Sequence, residues 1–411
     1  LLPGEDGIFE TAIYSANPDE WGYIDYTPLE DASALISEDF AEFTALCKTP
    51  ASEFKPLIDN CAYSLWLNLQ ETGGGGMFMS GSEKILPMVY DNRVRNGSAL
   101  AYEQPLYALA LSDAKAAMDL AFNDFPQMEK GMLPANVGTG TPCYRAFPPT
   151  HGLAVLQTNL SGFEREALQS LYELMATHFE WWRNSHSLHN NEFSYNMREE
   201  YGFPNSSFGA LTFPLEAPDL YTFMILYSDA LTKLADAAGN GKSGEWSDIS
   251  GRLLKSLLKL WDGTSFTCKN ALSGEIFKSQ SLLAYLPIAL GKRLPSEIID
   301  ALSLDLADSD KFLSNYGFRS ESKSSVYYDG AVSGRGAVDM SLQMLIIGGL
   351  FESGKTELAE SAAKKLLTNG IVRDVLIADG AQPPRRPGDE YNPIAAAAMI
   401  YIAGILGKEE R

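Results

Sequence analysis

The chain is short of the residues that mark most metal, redox, membrane and nucleic-acid proteins. It contains no run of eighteen apolar residues, so nothing in it reads as a membrane span. Its four cysteines, Cys47, Cys61, Cys143 and Cys268, are widely spaced and form no CxxC pair. That is neither a disulfide framework nor a zinc site, and buried free thiols are expected. The four histidines, His151, His178, His186 and His189, make no HExxH pattern, and only the last two sit close together, so no metal is assigned. Basic residues are also scarce, 32 against 53 acidic, for a formal charge of −21. A phosphate backbone would be repelled, and no Lys/Arg cluster offsets this, so a nucleic-acid partner is not expected. The four glycines Gly73–Gly76 are followed by no Gly-Lys-Ser/Thr and make no phosphate loop; they are a lid hinge or slack connecting chain.

What is present is a long, helix-patterned chain. At 411 residues it can bury a large core, although length alone does not separate one domain from two or three. Residues 1–50 are acidic and aromatic, with Trp21, Tyr23 and Tyr26 among Pro and Asp, and read as an irregular arm or the remnant of a preceding domain. The chain opens on Leu1 rather than Met, which suggests a removed leader or upstream region and leaves the compartment open, cytoplasmic or secreted/periplasmic. Triplets such as Asn96-Gly97-Ser98 match the N-glycosylation pattern but arise by chance at this length. Oligomeric state is not legible.

From Phe54 onward, apolar residues recur at helical spacing and are broken by Gly/Pro-rich loops. Helices are expected near 54–70, 99–112, 113–125, 149–159, 163–183, 215–239, 246–261, 277–290, 295–305, 336–352, 355–369 and 392–407. Segments such as Ala99–Leu111, Met340–Leu350 and Ile394–Leu406 are apolar nearly all round, whereas Asp113–Phe125 and Lys355–Thr368 are striped. An all-apolar helix belongs inside and a striped one faces water. Six such alternations predict an all-α protein, an (α/α)6 barrel over residues 51–411. Strand-like alternation is too sparse for an α/β barrel. An α-solenoid is the structural rival, although no short-period repeat announces one.

Five long loops, Thr72–Ala99, Gly131–Pro149, Asn184–Pro214, Asn315–Gly336 and Ala378–Pro393, carry Gly, Tyr, Arg, Asn and carboxylates, and are where function is expected. Trp181-Trp182-Arg183-Asn184, Glu199–Ser207 and Leu215–Leu220 combine flat aromatic faces with carboxylates and amides, the mixture that binds sugars. Tyr102, Tyr144, Trp181, Trp182 and Tyr391 are candidate stacking faces; the alternative for the Trp pair is simple core packing. Arg145 and Arg335 are candidates for forking onto hydroxyls or a substrate carboxylate, or else for bracing their loops. Glu199 and Glu200 stand beside Tyr201 and Phe203, where one of two adjacent acids could be held protonated.

Several collinear blocks from about residue 85 to the end resemble the helical-barrel glycosidases of glycoside hydrolase families 63 and 37, the processing α-glucosidase and trehalase group. Tyr102-Glu103-Gln104 stands in the place of the family's Trp-Asp-Ser. Gly131-Met132-Leu133-Pro134 with Arg145-Ala146-Phe147-Pro148-Pro149 is similar to its "G-[MI]-[IL]-P … R-S-x-P-P" loop. Glu200-Tyr201-Gly202-Phe203-Pro204-Asn205-Ser206 resembles "E-S-G-W-D-N-S", and Glu216-Ala217-Pro218-Asp219-Leu220 resembles "E-S-P-D-L-N". Tyr316–Ser320, Arg335-Gly336-Ala337-Val338 and Glu390-Tyr391-Asn392-Pro393 resemble "G-[LI]-x-S", "R-G-P-V-W" and "E-x-Y-[ND]-P".

The resemblance implies a glycoside hydrolase, inverting and exo-acting on an α-linked gluco- or manno-type sugar, with no redox cofactor and no obligatory metal. Inversion needs one carboxyl as acid and another as base, about 6.5–9.5 Å apart. Glu390 takes the family's base position, with Arg385 and Arg386 nearby to keep it ionised; the alternative is a solvated loop carboxylate. Pro204 stands where the family has its acid, so Glu200 is taken as the acid, with Glu103 and Asp339 in reserve. Tyr102, Glu103, Arg145, Trp181, Asn205, Arg335, Asp339 and Tyr391 are carried over as substrate-binding positions. Two other readings stay open: a hydrolase or lyase for an acidic sugar, and a glycan-binding relative without catalysis.

Overall fold

The computed structural model describes residues 32–71, 77–79, 98–138, 144–189, 192–203, 205–383 and 392–409. It divides into two compact units, residues 1–41 and 42–411. Of the first, only the opening of helix α1 (Ala32–Leu46) is described. Within the stretch expected to be irregular, these residues are therefore helical.

Among its described residues the second unit has eleven further α-helices and one long 3₁₀ segment. The α-helices are α2 (Lys55–Asn68), α3 (Gln104–Ala108), α4 (Ala114–Ala121), α5 (His151–Gln157) and α6 (Arg165–Ser185). They continue as α7 (Pro218–Ala238), α8 (Ser243–Leu258), α9 (Ser296–Ala307), α10 (Met340–Glu352), α11 (Thr356–Asn369) and α12 (Pro393–Glu409). The 3₁₀ segment spans Leu282–Arg293.

Burial separates these into two rings. Sixteen of the 21 residues of α7 are buried, against five of the 21 in α6. The first is buried over most of its surface and the second along one stripe, so one sits inside and the other outside. The inner members are α3, α5, α7, the 3₁₀ segment, α10 and α12. Each packs on the next, and α12 closes back onto α3. The outer members are α4, α6, α8, α9, α11 and α2. The last of these, from the start of the unit, packs against α12, from its end, to complete the sixth hairpin. This closed double ring is an (α/α)6 barrel. Close approach inside it needs small residues: a Cβ added at Gly349 of α10 would lie 2.7 Å from the backbone of Ala289. No described helix is long and apolar enough to cross a membrane.

Two inner members are less regular than the periodicity predicts. The helix expected over 277–290 is a strand, Ile276–Lys278, followed by the 3₁₀ segment, which contains Pro287 and kinks at Gly291, where φ is +58°. A proline has no N–H to give to an α-helical ladder, and the segment takes tighter 3₁₀ turns instead. The helix expected over 99–112 shrinks to α3, because Pro105 fits only a helix start. Asp113 then caps α4, accepting from the Ala116 N–H at 2.8 Å.

Short antiparallel pairs decorate one face of the barrel. Ser98–Leu100 pairs with Asn136–Gly138, and Val338–Asp339 pairs with Val375–Leu376. Leu215–Glu216 pairs with Thr267–Asn270, which continues to Ile276–Lys278. The first strand of each set leads into an inner helix, α3, α10 or α7. Extended backbone thus delivers a few side chains to the N-terminal mouth of the inner ring.

Candidate active site

A hollow of about 160 Å³ opens at that mouth. Tyr102 and Glu103 enter it from the start of α3, and Gly202, Phe203 and Asn205 from the loop before α7. Ser333, Asp339 and Ser341 come from the approach to α10, Asp374 and Val375 from the strand after α11, and Ile394 from the first turn of α12. Segments far apart in the chain therefore meet where helix N–H groups leave a partial positive charge. Loop positions are fixed by specific ties. Glu321, fully buried, accepts from the Ser207 hydroxyl at 2.8 Å and the Ser325 hydroxyl at 2.7 Å, joining the loops before α7 and α10. Gly334 lies against the loop before α7: its φ is +74°, and a Cβ there would come within 3.2 Å of the Ser206 nitrogen.

The electrostatics of the hollow are those of crowded carboxyls. Burial pushes Glu103 up to about 7; the Tyr107 hydroxyl, donating at 2.7 Å, works against this, and the charge of Asp374 adds to it. Asp339 is 3% exposed, and burial pushes it up to about 6. Donation from Ser333 and from the Gly334 N–H, 3.0 Å away, opposes the rise, and Asp374 again reinforces it. The backbone couples the two aspartates' strands, since the Met340 N–H donates to the Asp374 carbonyl at 2.9 Å. Near neutrality the hollow thus holds a carboxyl able to donate a proton beside carboxylates able to accept hydrogen bonds. Among the described residues no group of three or more His, Cys, Asp or Glu is disposed to hold a metal ion.

A second, much smaller hollow, about 20 Å³, lies across the Tyr102 ring, which lines both. Arg145, Trp181, Trp182, Asp124, His151 and His178 are among its walls. Tyr102 stacks on Phe147 with ring centres 5.0 Å apart. Two larger depressions lie elsewhere: about 830 Å³ between α4 and α6, and about 310 Å³ where Gln157, Gly404 and Gly407 line the opposite, C-terminal ends of inner helices. Neither gathers buried carboxyls, and size alone does not make a site.

The sequence-derived site residues therefore divide. Tyr102, Glu103, Asn205 and Asp339 share the carboxyl hollow, while Arg145 and Trp181 share the second with Tyr102. Glu200 lines neither. Its carboxylate accepts from the Asn196 N–H at 2.6 Å and the Met197 N–H at 3.4 Å, and faces His186 Nε2 at 3.3 Å. His186 in turn packs on Trp181 and Trp182, at 5.0 and 4.5 Å between ring centres, so Glu200 braces an aromatic wall from behind. Glu199 is exposed beside Arg198. Arg335 donates to the Tyr327 carbonyl at 3.0 Å, lines neither hollow, and does not join Arg145 on a common target. Tyr144 is exposed and donates to the Gln127 carbonyl, and Trp182 is buried with its N–H on His178 Nε2. Glu390, Tyr391, Arg385, Arg386 and Pro204 lie outside the described residues.

Sequence reasoning missed Asp374. The run Val372-Arg373-Asp374-Val375-Leu376 has no strand alternation to mark it, and the acid stands just ahead of a two-residue strand. Ser333 and Ser341, small polar residues at a helix start, had no signal of their own.

The profile of the mannosylglycerate hydrolase MGH1-like glycoside hydrolase domain matches residues 114–374, well over half of the chain. No curated protein matches. Among solved structures, the family 63 mannosylglycerate hydrolase of Thermus thermophilus in complex with glucose aligns with a TM-score of 0.69 at 15% identity, covering 84% of this chain and 99% of that one. The same hydrolase with Tris and D-glycerate gives the same score and coverage at 15% identity. A chain named sialidase aligns over 90% of this chain but 38% of its own length, at a TM-score of 0.61 and 13% identity.

Proposed function

We propose, given that the chain belongs to the mannosylglycerate hydrolase MGH1-like family of glycoside hydrolases, that it cleaves an α-linked gluco- or manno-type glycoside from one end, with inversion, using Glu103 as general acid. The observation that carries the acid assignment is the Glu103 carboxyl: it faces a hollow shared with Tyr102, Asn205 and Asp339 and is pushed to about 7. With Pro204 in the family's acid position, the proton must come from another carboxyl, and burial pushes Glu103 higher than Asp339 beside it. Asp339 and Asp374 hold sugar hydroxyls, and the charge of Asp374 works against the ionisation of Glu103. Glu390 keeps the base role that the resemblance gives it.

In this reading Glu103 protonates the glycosidic oxygen as the bond from the anomeric carbon to that oxygen breaks. A water on the opposite face, losing its proton to Glu390, forms the new bond and inverts the anomer. A panel of aryl and natural α-glycosides, with the first-formed anomer read by NMR, tests this directly. A product of retained configuration, or turnover confined to β-glycosides, would overturn it.

A second reading, a glycan-binding protein without turnover, is favoured by one observation, the proline at 204. Calorimetric binding of a sugar that is never hydrolysed would select it. For an acidic-sugar substrate there is no such support, because Arg145 and Arg335 do not meet.

A further inference from the structure

We propose that His151 reads one hydroxyl of the bound sugar through the small hollow behind Tyr102; this rests on the carbohydrate reading above. His151 opens α5 and is 3% exposed. Its Nε2 lies 3.2 and 3.3 Å from the two Asp124 oxygens. A carboxylate can only accept, so in the neutral ring the proton sits on Nε2 and Nδ1 is left as an acceptor. That Nδ1 is buried and has no hydrogen-bond partner. The ring packs among Phe125, Phe122 and His178, with ring centres at 5.1, 5.6 and 6.1 Å. His178 is already committed: its Nε2 accepts from Trp182 at 3.2 Å, which leaves Nδ1–H for the Tyr227 hydroxyl at 3.0 Å.

Volume decides what can answer the idle nitrogen. A space of about 20 Å³ holds one water or one hydroxyl and no sugar ring. It adjoins the carboxyl hollow, since Tyr102 walls both, and a Cβ at Gly202, on the carboxyl side, would meet Tyr102 at 3.9 Å and Pro148 of the other side at 4.0 Å. A sugar seated against Glu103 and Asp339 presents a hydroxyl or hydroxymethyl past the Tyr102 ring, and that group donates to Nδ1. Asp124 acts through His151 as a positioning residue, fixing the tautomer that makes Nδ1 accept.

The test is calorimetric titration of the full chain with D-mannose, D-glucose and their singly deoxygenated and deoxyfluoro analogues, comparing wild type with His151→Leu and His151→Gln. In wild type one deoxygenated position weakens binding by about tenfold or more. The fluoro analogue at that position, which cannot donate, binds no better. In His151→Leu the parent and that deoxy sugar bind within about twofold of each other, whereas His151→Gln, whose amide oxygen accepts, keeps part of the difference. Should His151→Leu fail to fold, the wild-type fluoro comparison and His151→Gln still decide. A sugar that binds with the same deoxy profile in all variants, or a fluoro analogue that restores wild-type affinity, overturns the inference and leaves the carbohydrate reading intact. If no sugar binds wild type at all, the carbohydrate reading falls first and this inference with it.

Discussion

Two glutamates near the mouth of the barrel, Glu200 buried and Glu103 half-buried, have opposite surroundings. Glu200 is surrounded by donors: two backbone N–H groups and an imidazole face its oxygens. Glu103 accepts from the Tyr107 hydroxyl and has the charge of Asp374 for company. A carboxylate whose lone pairs are spent inside the protein has little to offer a substrate. One that burial and a like charge push toward protonation carries a proton that a substrate can take. The contrast moves the acid role from Glu200, where alignment with the family motif puts it, to Glu103, where the environment favours it.

The largest effect expected from breaking this contrast is on turnover. Glu103→Gln keeps the shape and the Tyr107 contact but removes the proton, and kcat should fall by about 10²–10⁴-fold on substrates with poor leaving groups. Aryl glycosides with acidic phenols, which need no protonation to leave, should lose far less. Equal loss on both classes would take Glu103 out of the acid role. Glu200→Gln should do the reverse. Replacing a charged acceptor against His186 should cost about 1–3 kcal/mol of stability, read by denaturant unfolding, with kcat changed by less than about tenfold. A large kcat loss in a fully stable Glu200→Gln protein would restore it as the acid.

A smaller effect sharpens the same point. Because Glu103 must be protonated to act, activity should be lost as pH rises through about 7. Asp374 raises Glu103 by repulsion, so Asp374→Asn lowers it and should move the alkaline limb of the kcat/KM profile to lower pH, by about half a unit or more. Movement in the other direction would mean that Asp374 is not the repelling charge.

Much of this arrangement is readable from the chain, and the limits are physical. Inner helices α10 and α12 are visible because they have no polar stripe, which only a place inside a ring can accommodate. Tyr102, Glu103 and Asp339 line one hollow because each stands just before or at the start of an inner helix, and Asn205 reaches it from the loop ahead of α7. Helix α1 was hidden by the acidic, aromatic composition of its surroundings, and the 3₁₀ segment by apolar spacing that does not register Pro287. The role of Glu200 was unreadable because its partners are backbone N–H groups and a histidine fourteen residues away, brought near by the turn that precedes Glu200. Asp374 lay in no motif, and only the pairing of Val338–Asp339 with Val375–Leu376 carries it to the hollow.

A third carboxyl serves as the control. Asp219, in the first turn of α7, is fully buried, accepts from the Tyr195 hydroxyl at 3.0 Å, and is pushed by burial to about 7, the same height as Glu103. It lines neither hollow. If a raised carboxyl were enough, Asp219 would be as good an acid; if access is also required, it should be silent in catalysis and visible only in stability. The sign follows from linkage. Between its ordinary value of 3.8 and about 7 the folded state binds the proton that the unfolded state has released, so Asp219 makes stability fall as pH rises through that window. Asp219→Asn cannot ionise and keeps an acceptor for Tyr195. Relative to wild type it should gain stability at pH 8, by about 1 kcal/mol or more, and gain little at pH 4. The alkaline limb of its pH–rate profile should coincide with that of wild type. A limb displaced in Asp219→Asn and unmoved in Asp374→Asn would transfer the acid's titration from the mouth of the barrel to its core.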